Sequence, residues 1–314
     1  MKRLRNFFIL CFAFFAFAQT GFGQFGEVSY DYAEYPLTRN GIDLHLDRVA
    51  LTGEEPGKDI LLIHGVTYSS HEFDVDYKDY SLVRRLAREG YAVWRLDIAG
   101  FGRSEEVEDG FMPDSEYAAE DIASAAETIL RASGRERLDV LGWSWGTITV
   151  ARFASARPEL IDKIVLYAPI LSGIGEYDVK EPFHHNTWVH SIEDFQKRED
   201  GTLDYSITEK TVIDVWCSNC WRYDGDSSPN GGRRDACVDK SVELIDLTKT
   251  SNPTLMIYGD ADPYLDLEKL AEAAKLLPKG SEVEIIRGGS HAIMLEKPFY
   301  RAFQEKVIRF LRAE

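Results

Sequence analysis

The chain has 314 residues, of which 44% are hydrophobic, and its 53 acidic residues outnumber its 36 basic ones to give a formal net charge of −17. The apolar fraction is that of a globular protein with a full-sized core, and the length fits one large α/β domain or two ordinary ones. The acidic balance argues against nucleic acid and anionic membrane surfaces as partners, because both are recognised through basic patches. The sequence therefore predicts no nucleic-acid partner and leaves the oligomeric state open.

The N-terminal segment differs in pattern from the rest of the chain. Three basic residues, Lys2, Arg3 and Arg5, precede an apolar run over residues 7–18, and small residues follow at alternate positions. This order is typical of a secretory signal peptide, and the run is too short to span a membrane comfortably. We therefore expect residues 1–24 to be removed and the mature protein to be secreted or periplasmic, without stable membrane association. An uncleaved N-terminal anchor is the alternative.

The first half of the remaining chain alternates predicted strands and helices. Asn40-Gly41 lies between two partly alternating runs, which is the signal of a β-hairpin. Continuous apolar runs indicate buried strands, and helical spacing or a capping residue indicates the helices between them. The expected elements are hairpin strands at 28–38 and 42–51, strands at 60–63, 91–98, 138–141 and 163–168, and helices at 81–89, after Asp114 and before Pro158. Such an order predicts a mostly parallel sheet with helices on both faces.

The alternation stops after residue 170 and resumes near residue 250. Residues 171–249 are rich in aromatic residues, histidine, glycine and charge, and this aromatic content argues against a disordered linker. Strands at 253–258 and 283–286 and helices at 265–277 and 298–311 then complete the pattern. The sequence predicts an α/β core formed by residues 25–170 and 250–314, with an inserted, mainly helical lid at 171–249.

The central motif is Gly142-Trp143-Ser144-Trp145-Gly146, which joins a predicted strand to a small-residue segment of helical character. Gly-x-Ser-x-Gly in this setting is typical of a nucleophile elbow, a sharp strand–turn–helix junction that exposes the serine hydroxyl. Glycine is needed on both sides of the turn, since a Cβ there would collide with neighbouring backbone. Ser144 is therefore the predicted nucleophile, and the turn directs the backbone N–H of Trp145 at the same point.

A serine nucleophile needs a base, and the base needs a third group that fixes its tautomer. His291 follows the last predicted strand, within Gly288-Gly289-Ser290-His291, so it belongs to a loop at the carboxyl edge of the sheet. Two acids, Asp260 and Asp262, follow the preceding strand, and either could reach the imidazole. The order serine, aspartate, histidine is that of α/β-hydrolases.

With these motifs the chain resembles the lid-bearing serine hydrolases of the α/β-hydrolase superfamily over most of its predicted core. The resemblance implies the α/β-hydrolase fold, and it assigns the acid to Asp262, because relatives carry this residue in Gly-x-x-Asp. His64-Gly65 is similar to the family's His-Gly loop. This likeness implies that the N–H of Val66 joins that of Trp145 in an oxyanion hole.

Relatives with this fold differ in the residue at the elbow, and that residue determines which reaction they catalyse. Haloalkane dehalogenases and epoxide hydrolases of this fold carry aspartate there, so Ser144 points to acyl transfer. A tryptophan after the serine, here Trp145, also occurs in proline-iminopeptidase-like relatives. Apolar side chains suit an acyl or aryl group, although the lid tryptophans could equally form the lid's own core. The candidate substrate-binding residues are Thr67, Trp143, Trp188 and Trp216.

These features predict a secreted serine hydrolase that cleaves a small or medium carboxylic ester or lactone through an acyl-enzyme, with no cofactor and no metal. An aminopeptidase is the first alternative, and it would use acidic lid residues such as Glu176, Asp178 and Glu181 to hold a substrate ammonium. A carbon–carbon bond hydrolase or a perhydrolase would use the same triad. A catalytically inactive binding protein is disfavoured because all three triad residues are present.

Three cysteines remain after the predicted signal peptide, and all lie in the predicted lid. In an oxidising compartment one disulfide is the default. Cys220 is preferred narrowly over Cys217 as the partner of Cys237, because Cys220 is nearer the intervening loop. A Cys217–Cys220 pair is a further possibility. So is a zinc site that combines these thiolates with lid histidines, namely His184, His185 or His190.

Overall fold

The computed structural model describes residues 28–193 and 195–313. The predicted signal peptide therefore lies outside the described residues. Within those ranges, no helix combines the length and the apolar character that crossing a membrane requires.

An eight-stranded sheet forms the centre of the described chain. The described chain has ten strands, eight in this sheet and two in a separate ribbon. In chain order they are β1 (Tyr30–Arg39), β2 (Ile42–Leu51), β3 (Lys58–Ile63), β4 (Tyr91–Leu96), β5 (Leu138–Trp143), β6 (Ile161–Tyr167), β7 (Phe183–His185), β8 (Ser227–Pro229), β9 (Thr254–Gly259) and β10 (Glu282–Ile286). The sheet has the order β1-β2-β4-β3-β5-β6-β9-β10, and β7 pairs with β8 in a separate two-stranded ribbon. β2 runs antiparallel to β1 and to β4, while the pairs from β4 to β10 are parallel.

Local sequence explains much of this sheet. The β1–β2 hairpin turns at Asn40 and Gly41, which both have positive φ, as a tight primed turn requires. β4 and β5 are buried at every residue, because helices cover both faces of a parallel sheet. The predicted fold class, a mostly parallel α/β-hydrolase sheet, is thus confirmed.

The helices divide between the two faces. In chain order they are α1 (Leu82–Arg88), α2 (Ser115–Ser133), α3 (Trp145–Ala156), α4 (Trp188–Ser191), α5 (Lys210–Tyr223), α6 (Gly231–Ala236), α7 (Leu267–Leu276) and α8 (Tyr300–Arg312). Buried side chains of α1, α5 and α8 share one apolar cluster with one face of the sheet. Those of α2, α3 and α7 share a second cluster with the other face. The sheet therefore has an apolar core on each of its two faces, and these cores support the edge from which the site loops extend.

The segment between β6 and β9 contains the predicted insertion. Its described residues form α4, α5, α6 and the β7–β8 ribbon, and turns and irregular segments join these elements. The predicted insertion is therefore a mixed structure and is less helical than expected. Its pattern was misleading because the many Gly, Asp and Ser residues terminate helices early.

The predicted Cys220–Cys237 disulfide is absent from the described chain, in which all three cysteines are free thiols. Cys217 and Cys220 lie on the buried face of α5, within the apolar cluster that α5 shares with α1 and α8. Cys237 instead follows α6 and lines a separate cavity. Burial raises the pKa of Cys217 to about 11 and that of Cys220 well above its usual value. The predicted bridge is therefore not formed, since Cys220 packs into the apolar core while Cys237 lines the cavity.

A buried carboxyl group in β5 should make stability depend on pH. Asp139 is 1% exposed, and burial raises its pKa from 3.8 to about 7. Between about pH 4 and 7 the folded chain then holds a proton that the unfolded chain has lost, so the free energy of unfolding falls as pH rises through this window. The loss is roughly 4 kcal/mol at most.

Asp139→Asn should remove this dependence, because the amide stays neutral at every pH. Thermal denaturation should show the variant gaining stability relative to wild type between pH 5 and pH 8. Asp214→Asn is the matched control, since this carboxylate is about half exposed and belongs to α5, in the insertion. A difference between Asp139→Asn and wild type that stays the same at both pH values would contradict the assignment.

Candidate active site

Ser144 occupies a strained position between β5 and α3. Its φ is 55° and its ψ is −123°, a backbone conformation that residues with a side chain rarely adopt. The turn is tight enough that a Cβ on Gly142 would lie 2.4 Å from the carbonyl oxygen of Gly146. A Cβ on Gly146 would in turn lie 2.5 Å from the carbonyl oxygen of His64. Both glycines of the motif are therefore required by close backbone approach.

His291 and Asp262 meet on the loops that follow β10 and β9. Nδ1 of His291 lies 2.9 Å from Oδ2 of Asp262, and both residues are about 95% buried. Asp260 points elsewhere, since its Oδ1 accepts a hydrogen bond from the backbone N–H of Gly288. The geometry therefore places Asp262 at the imidazole and gives Asp260 a contact within the loop.

Ser144 and His291 line one cavity of about 250 Å³. Val66 and Trp145, the predicted oxyanion donors, line it as well. Trp145 is the first residue of α3, so its N–H belongs to the helix-terminal groups that have no acceptor within the helix. The cavity thus contains the predicted nucleophile, the predicted base and both predicted donors.

A buried network fixes the loop that carries Val66. The backbone N–H of Gly65 donates to Oε1 of Glu72 at 2.8 Å, and Nε2 of His64 accepts from the N–H of Ile98 at 3.1 Å. Burial lowers the pKa of His64, so its imidazole is neutral and can accept that bond. This histidine therefore ties two loops together at the sheet edge.

Two aromatic side chains hold the backbone of His291. Nε1 of Trp143 donates to the carbonyl oxygen of His291 at 3.0 Å, and the hydroxyl of Tyr167 donates to the same oxygen at 2.9 Å. The two rings stack with their centroids 5.6 Å apart, and the Tyr167 hydroxyl also accepts from the N–H of Met294. Trp143, predicted as a substrate contact, thus also acts on the histidine loop, and Tyr167 carried no sequence signal.

Removing one of these hydrogen bonds should slow the reaction. Trp143→Phe should lower kcat by up to about tenfold, the value of one intramolecular hydrogen bond, with a smaller change in KM. Tyr167→Phe removes the bond to His291 and also the acceptor of the Met294 N–H, so its loss of kcat should be as large or larger. The pH profile of kcat/KM should shift as well, because the imidazole is held less firmly. Trp94→Phe is the matched control, since Trp94 is equally buried but donates to Asp59, near the start of β3, and neither residue is in the described cavity lining. Equal kcat in all variants would contradict the positioning role.

A second contact joins the histidine loop to the insertion. Both the N–H and the hydroxyl of Ser290 donate to the carboxyl group of Glu296, which is fully buried. Nε2 of Gln196, from the insertion, donates to Oε1 of Glu296 at 2.7 Å and to the carbonyl oxygen of Gly288 at 2.8 Å. The loop that presents His291 is therefore bonded to the insertion through a buried carboxyl group.

Of the four predicted substrate contacts, three line the cavity and one does not. Thr67, Trp143 and Trp216 line the cavity, and Trp216 is 1% exposed. Trp188 is 46% exposed and is not among the described residues that line the cavity. The acidic residues proposed for an aminopeptidase are exposed and also lie outside the described lining; they are Glu176, Asp178 and Glu181.

The insertion instead supplies a basic side chain that the sequence did not reveal. Arg233 of α6 lines the cavity. The preceding Gly231-Gly232 pair was the available signal, because consecutive glycines often mark close approach of two backbones. The aromatic content of the insertion gives no indication of this residue.

One group of possible metal ligands occurs among the described residues. His45, Asp47 and His71 are buried, and their ligand atoms lie within 4.8 Å of one another. Asp47, however, accepts from Nε and Nη2 of Arg95, so both carboxylate oxygens already face a guanidinium. That positive charge opposes a cation at this point. The group is better described as a buried ion-pair network than as a metal site.

The fold and the cavity define a class of protein. The described chain has a parallel sheet with an antiparallel strand, a serine at the strand–helix junction and an Asp–His pair on the later loops. These features are typical of a serine hydrolase with the α/β-hydrolase fold. The chain belongs to the family described as serine aminopeptidase, S33, whose model matches residues 54–298.

Known relatives agree with this class. The chain is 27% identical, over 260 residues, to a Synechocystis sp. protein named as a non-heme chloroperoxidase, covering 76% of this chain and 86% of the relative. It is 24% identical to the pimeloyl-[acyl-carrier protein] methyl ester esterase of Pectobacterium carotovorum, covering 81% and 94%. The crystal structure of bromoperoxidase from Bacillus anthracis matches with a TM-score of 0.63 at 20% identity, covering 90% of this chain and all of that one.

Proposed function

We propose that the protein hydrolyses a small or medium carboxylic ester or lactone through an acyl-enzyme on Ser144. The observation that carries the proposal is the 2.9 Å contact between His291 Nδ1 and Asp262 Oδ2, beside a cavity that Ser144 lines at its strained turn. Such a contact leaves Nε2 of the imidazole to act as the base.

Each group has a defined step. Nε2 of His291 takes the proton from Oγ of Ser144 as Oγ attacks the ester carbonyl carbon. The N–H groups of Val66 and Trp145 stabilise the negative charge on the carbonyl oxygen. His291 then protonates the leaving alcohol, and a water deprotonated by His291 releases the acid from Ser144. Asp262 accepts the Nδ1–H throughout and stabilises the imidazolium.

The charges around the cavity support an ester over an aminoacyl substrate. An aminopeptidase needs acidic groups at its substrate ammonium, whereas the insertion places the guanidinium of Arg233 in the cavity wall. Glu72 and Glu193 also line the cavity, but Glu72 accepts from the N–H of Gly65 and Glu193 is exposed. Because the guanidinium of Arg233 lines the same cavity as Ser144, it disfavours an ammonium there.

A panel of substrates tests the proposal. Several 4-nitrophenyl esters, a lactone and an aminoacyl-4-nitroanilide should be assayed side by side with wild type and Ser144→Ala. We expect release of nitrophenol or lactone opening by wild type only. Turnover of the anilide alone would replace the esterase proposal with the aminopeptidase.

Export remains a prediction from the sequence. We propose that cleavage follows Ala18 or Gly23 and that the product is secreted or periplasmic. Intact-mass measurement of the exported protein tests this. Recovery of a chain that still begins at Met1 from a soluble cytoplasmic fraction would contradict it.

A further inference from the structure

The loop of residues 64–70 follows β3 and carries Val66, one of the two predicted oxyanion donors. Its residues 65–68 line the cavity, whereas Ser69 and Ser70 are fully buried. On its cavity side the loop faces open space, so packing on that side does not hold it in place. The position of the Val66 N–H therefore depends on the contacts that hold the buried end of the loop.

The insertion holds this buried end through one carboxyl group. Asp224 directly follows α5, and its Oδ2 accepts hydrogen bonds from the N–H and the hydroxyl of Ser69, at 3.1 and 3.0 Å. Its Oδ1 accepts from the backbone N–H of Gly102 at 3.0 Å, in the loop that follows β4. One side chain of the insertion therefore joins two separate loops of the core.

The three segments are closely packed where they meet. Gly102 has a φ of 56°, and a Cβ at this position would lie 2.5 Å from Cβ of Ser69. The ring of Tyr223, next to Asp224, stacks on the imidazole of His71 with the ring centroids 3.4 Å apart. Close-packed contacts transmit displacements to their neighbours. A change at Asp224 should therefore be transmitted to Ser69.

The carboxyl group of Asp224 is held at a cost. Burial raises its pKa to about 8, and the hydrogen bonds from Ser69 and Gly102 oppose that rise. A buried polar group is tolerated where such bonds replace those it made to water. Asp224 is not among the described residues that line the cavity, so any effect on the reaction must pass through the loops that it holds.

We propose that Asp224 is a positioning residue for the oxyanion hole: by holding Ser69, it determines where the backbone N–H of Val66 points. A donor accelerates the reaction only when it is aimed at the position where charge develops on the carbonyl oxygen. A displaced loop should therefore weaken binding of the transition state more than binding of the ester. This inference rests on the proposed esterase function.

The core supplies contacts to the loop that do not depend on Asp224. The N–H of Gly65 donates to Glu72, and the N–H of Ser70 donates to Oδ1 of Asp97 at 3.0 Å. Both contacts remain when Asp224 is replaced, so the loop should shift and not unfold. We therefore expect a partial loss of activity, smaller than the loss of a catalytic residue.

Replacement of Asp224 tests the proposal first in the rate. In Asp224→Ala, kcat for 4-nitrophenyl hexanoate should fall by about tenfold to a hundredfold, because displacing one donor costs no more than removing it, which costs about 10²- to 10³-fold. KM should change little. Asp224→Asn retains one acceptor oxygen and should give an intermediate loss.

A pair of inhibitors then measures the oxyanion hole directly. Pentyl trifluoromethyl ketone forms a bond between Oγ of Ser144 and its carbonyl carbon; the carbonyl electron pair moves to the oxygen, and the serine proton moves to Nε2 of His291. The corresponding alcohol has the same chain but no electrophilic carbon. In Asp224→Ala the Ki of the ketone should rise by the factor by which kcat/KM falls, and the Ki of the alcohol should stay unchanged. A merely structural change would affect both inhibitors alike.

A control on the same helix separates positioning from general attachment of the insertion. Nδ2 of Asn219 donates to the carbonyl oxygen of Asp74 at 3.1 Å, so it also joins α5 to the core, but outside the loop of residues 64–70. Asn219→Ala should keep the kcat and the ketone Ki of wild type. Should Asp224→Ala fail to fold, Ser69→Ala decides the question, because it removes only the hydroxyl bond to Asp224. It should lower kcat and raise the ketone Ki together, by up to about tenfold.

The two proposals fail in different ways. Unchanged kcat in Asp224→Ala, an equal loss in Asn219→Ala, or an equal rise in the Ki of ketone and alcohol would overturn the positioning role and leave the esterase in place. If Asp224→Ala does not fold, unchanged kcat in Ser69→Ala would overturn it. A wild type that binds the ketone covalently but hydrolyses no ester would overturn the esterase itself, and the ketone Ki alone would then decide the role of Asp224.

Discussion

Ser144→Ala should lower kcat by about 10⁶-fold and leave the folded structure intact, because the nucleophile is lost while a single oxygen is removed from the turn. Ser144 is only partly buried, so the substitution removes little packing. The measurement is ester hydrolysis together with labelling by a fluorophosphonate, which reacts with an activated serine. Wild type should be labelled, and Ser144→Ala should not.

Two controls make this result specific. His291→Ala should be almost as inactive, since nucleophile and base act as a unit. Ser155→Ala removes a serine hydroxyl from the end of α3, where it donates to the carbonyl oxygen of Ala151, and should keep full activity. Equal labelling of wild type and Ser144→Ala would show that another residue reacts and would refute the assignment.

Asp262→Asn should lower kcat on the order of 10⁴-fold, because an amide at this position favours the wrong imidazole tautomer. Asp260→Asn, two residues earlier, is the matched comparison. Its carboxylate accepts from the N–H of Gly288, and the amide oxygen of asparagine can still accept that bond, so the change removes only a charge and should not alter the tautomer of His291. Its kcat should therefore stay within about tenfold of wild type, as expected when a hydrogen bond to a charged group becomes a neutral one.

The two aspartate variants should be assayed in one preparation series, with circular dichroism to show that both are folded. The pH profile of kcat/KM adds a second reading, because loss of the carboxylate should shift the apparent pKa of the base. A larger loss of kcat in Asp260→Asn than in Asp262→Asn would reverse the roles of the two carboxylates.

The sequence predicted those parts of the fold that depend on local pattern. Asn40-Gly41 requires positive φ at two successive positions, so the hairpin could be located from two residues. Gly142 is required by an approach within one strand–helix junction, where a Cβ would lie 2.4 Å from the carbonyl oxygen of Gly146, and Gly146 is required by the neighbouring loop, where a Cβ would lie 2.5 Å from the carbonyl oxygen of His64. Loop position after β9 and β10 predicted that an aspartate meets His291, and the family resemblance was needed to choose Asp262 over Asp260.

Features that depend on long-range packing could not be predicted. Tyr167 lies 124 positions from His291 in sequence, and its hydroxyl bond to that residue has no local pattern. The insertion gave the largest errors for the same reason. Trp188 was expected inside and is half exposed, whereas Arg233 lines the cavity because Gly232 contacts Trp145. Burial of Cys220 on α5 likewise could not be read from its distance to a loop.

The bond between Gln196 and Glu296 has a consequence for protein engineering. Chimeras that transplant the insertion from a homologue are a common route to new substrate ranges. In this chain such a transplant would remove the amide that bonds both Glu296 and the carbonyl oxygen of Gly288. The recipient core would then present His291 on a loop that has lost one of its supports. A chimera of this chain should therefore retain glutamine at position 196. Without it, the new specificity would be measured in an enzyme whose base, His291, is less well ordered.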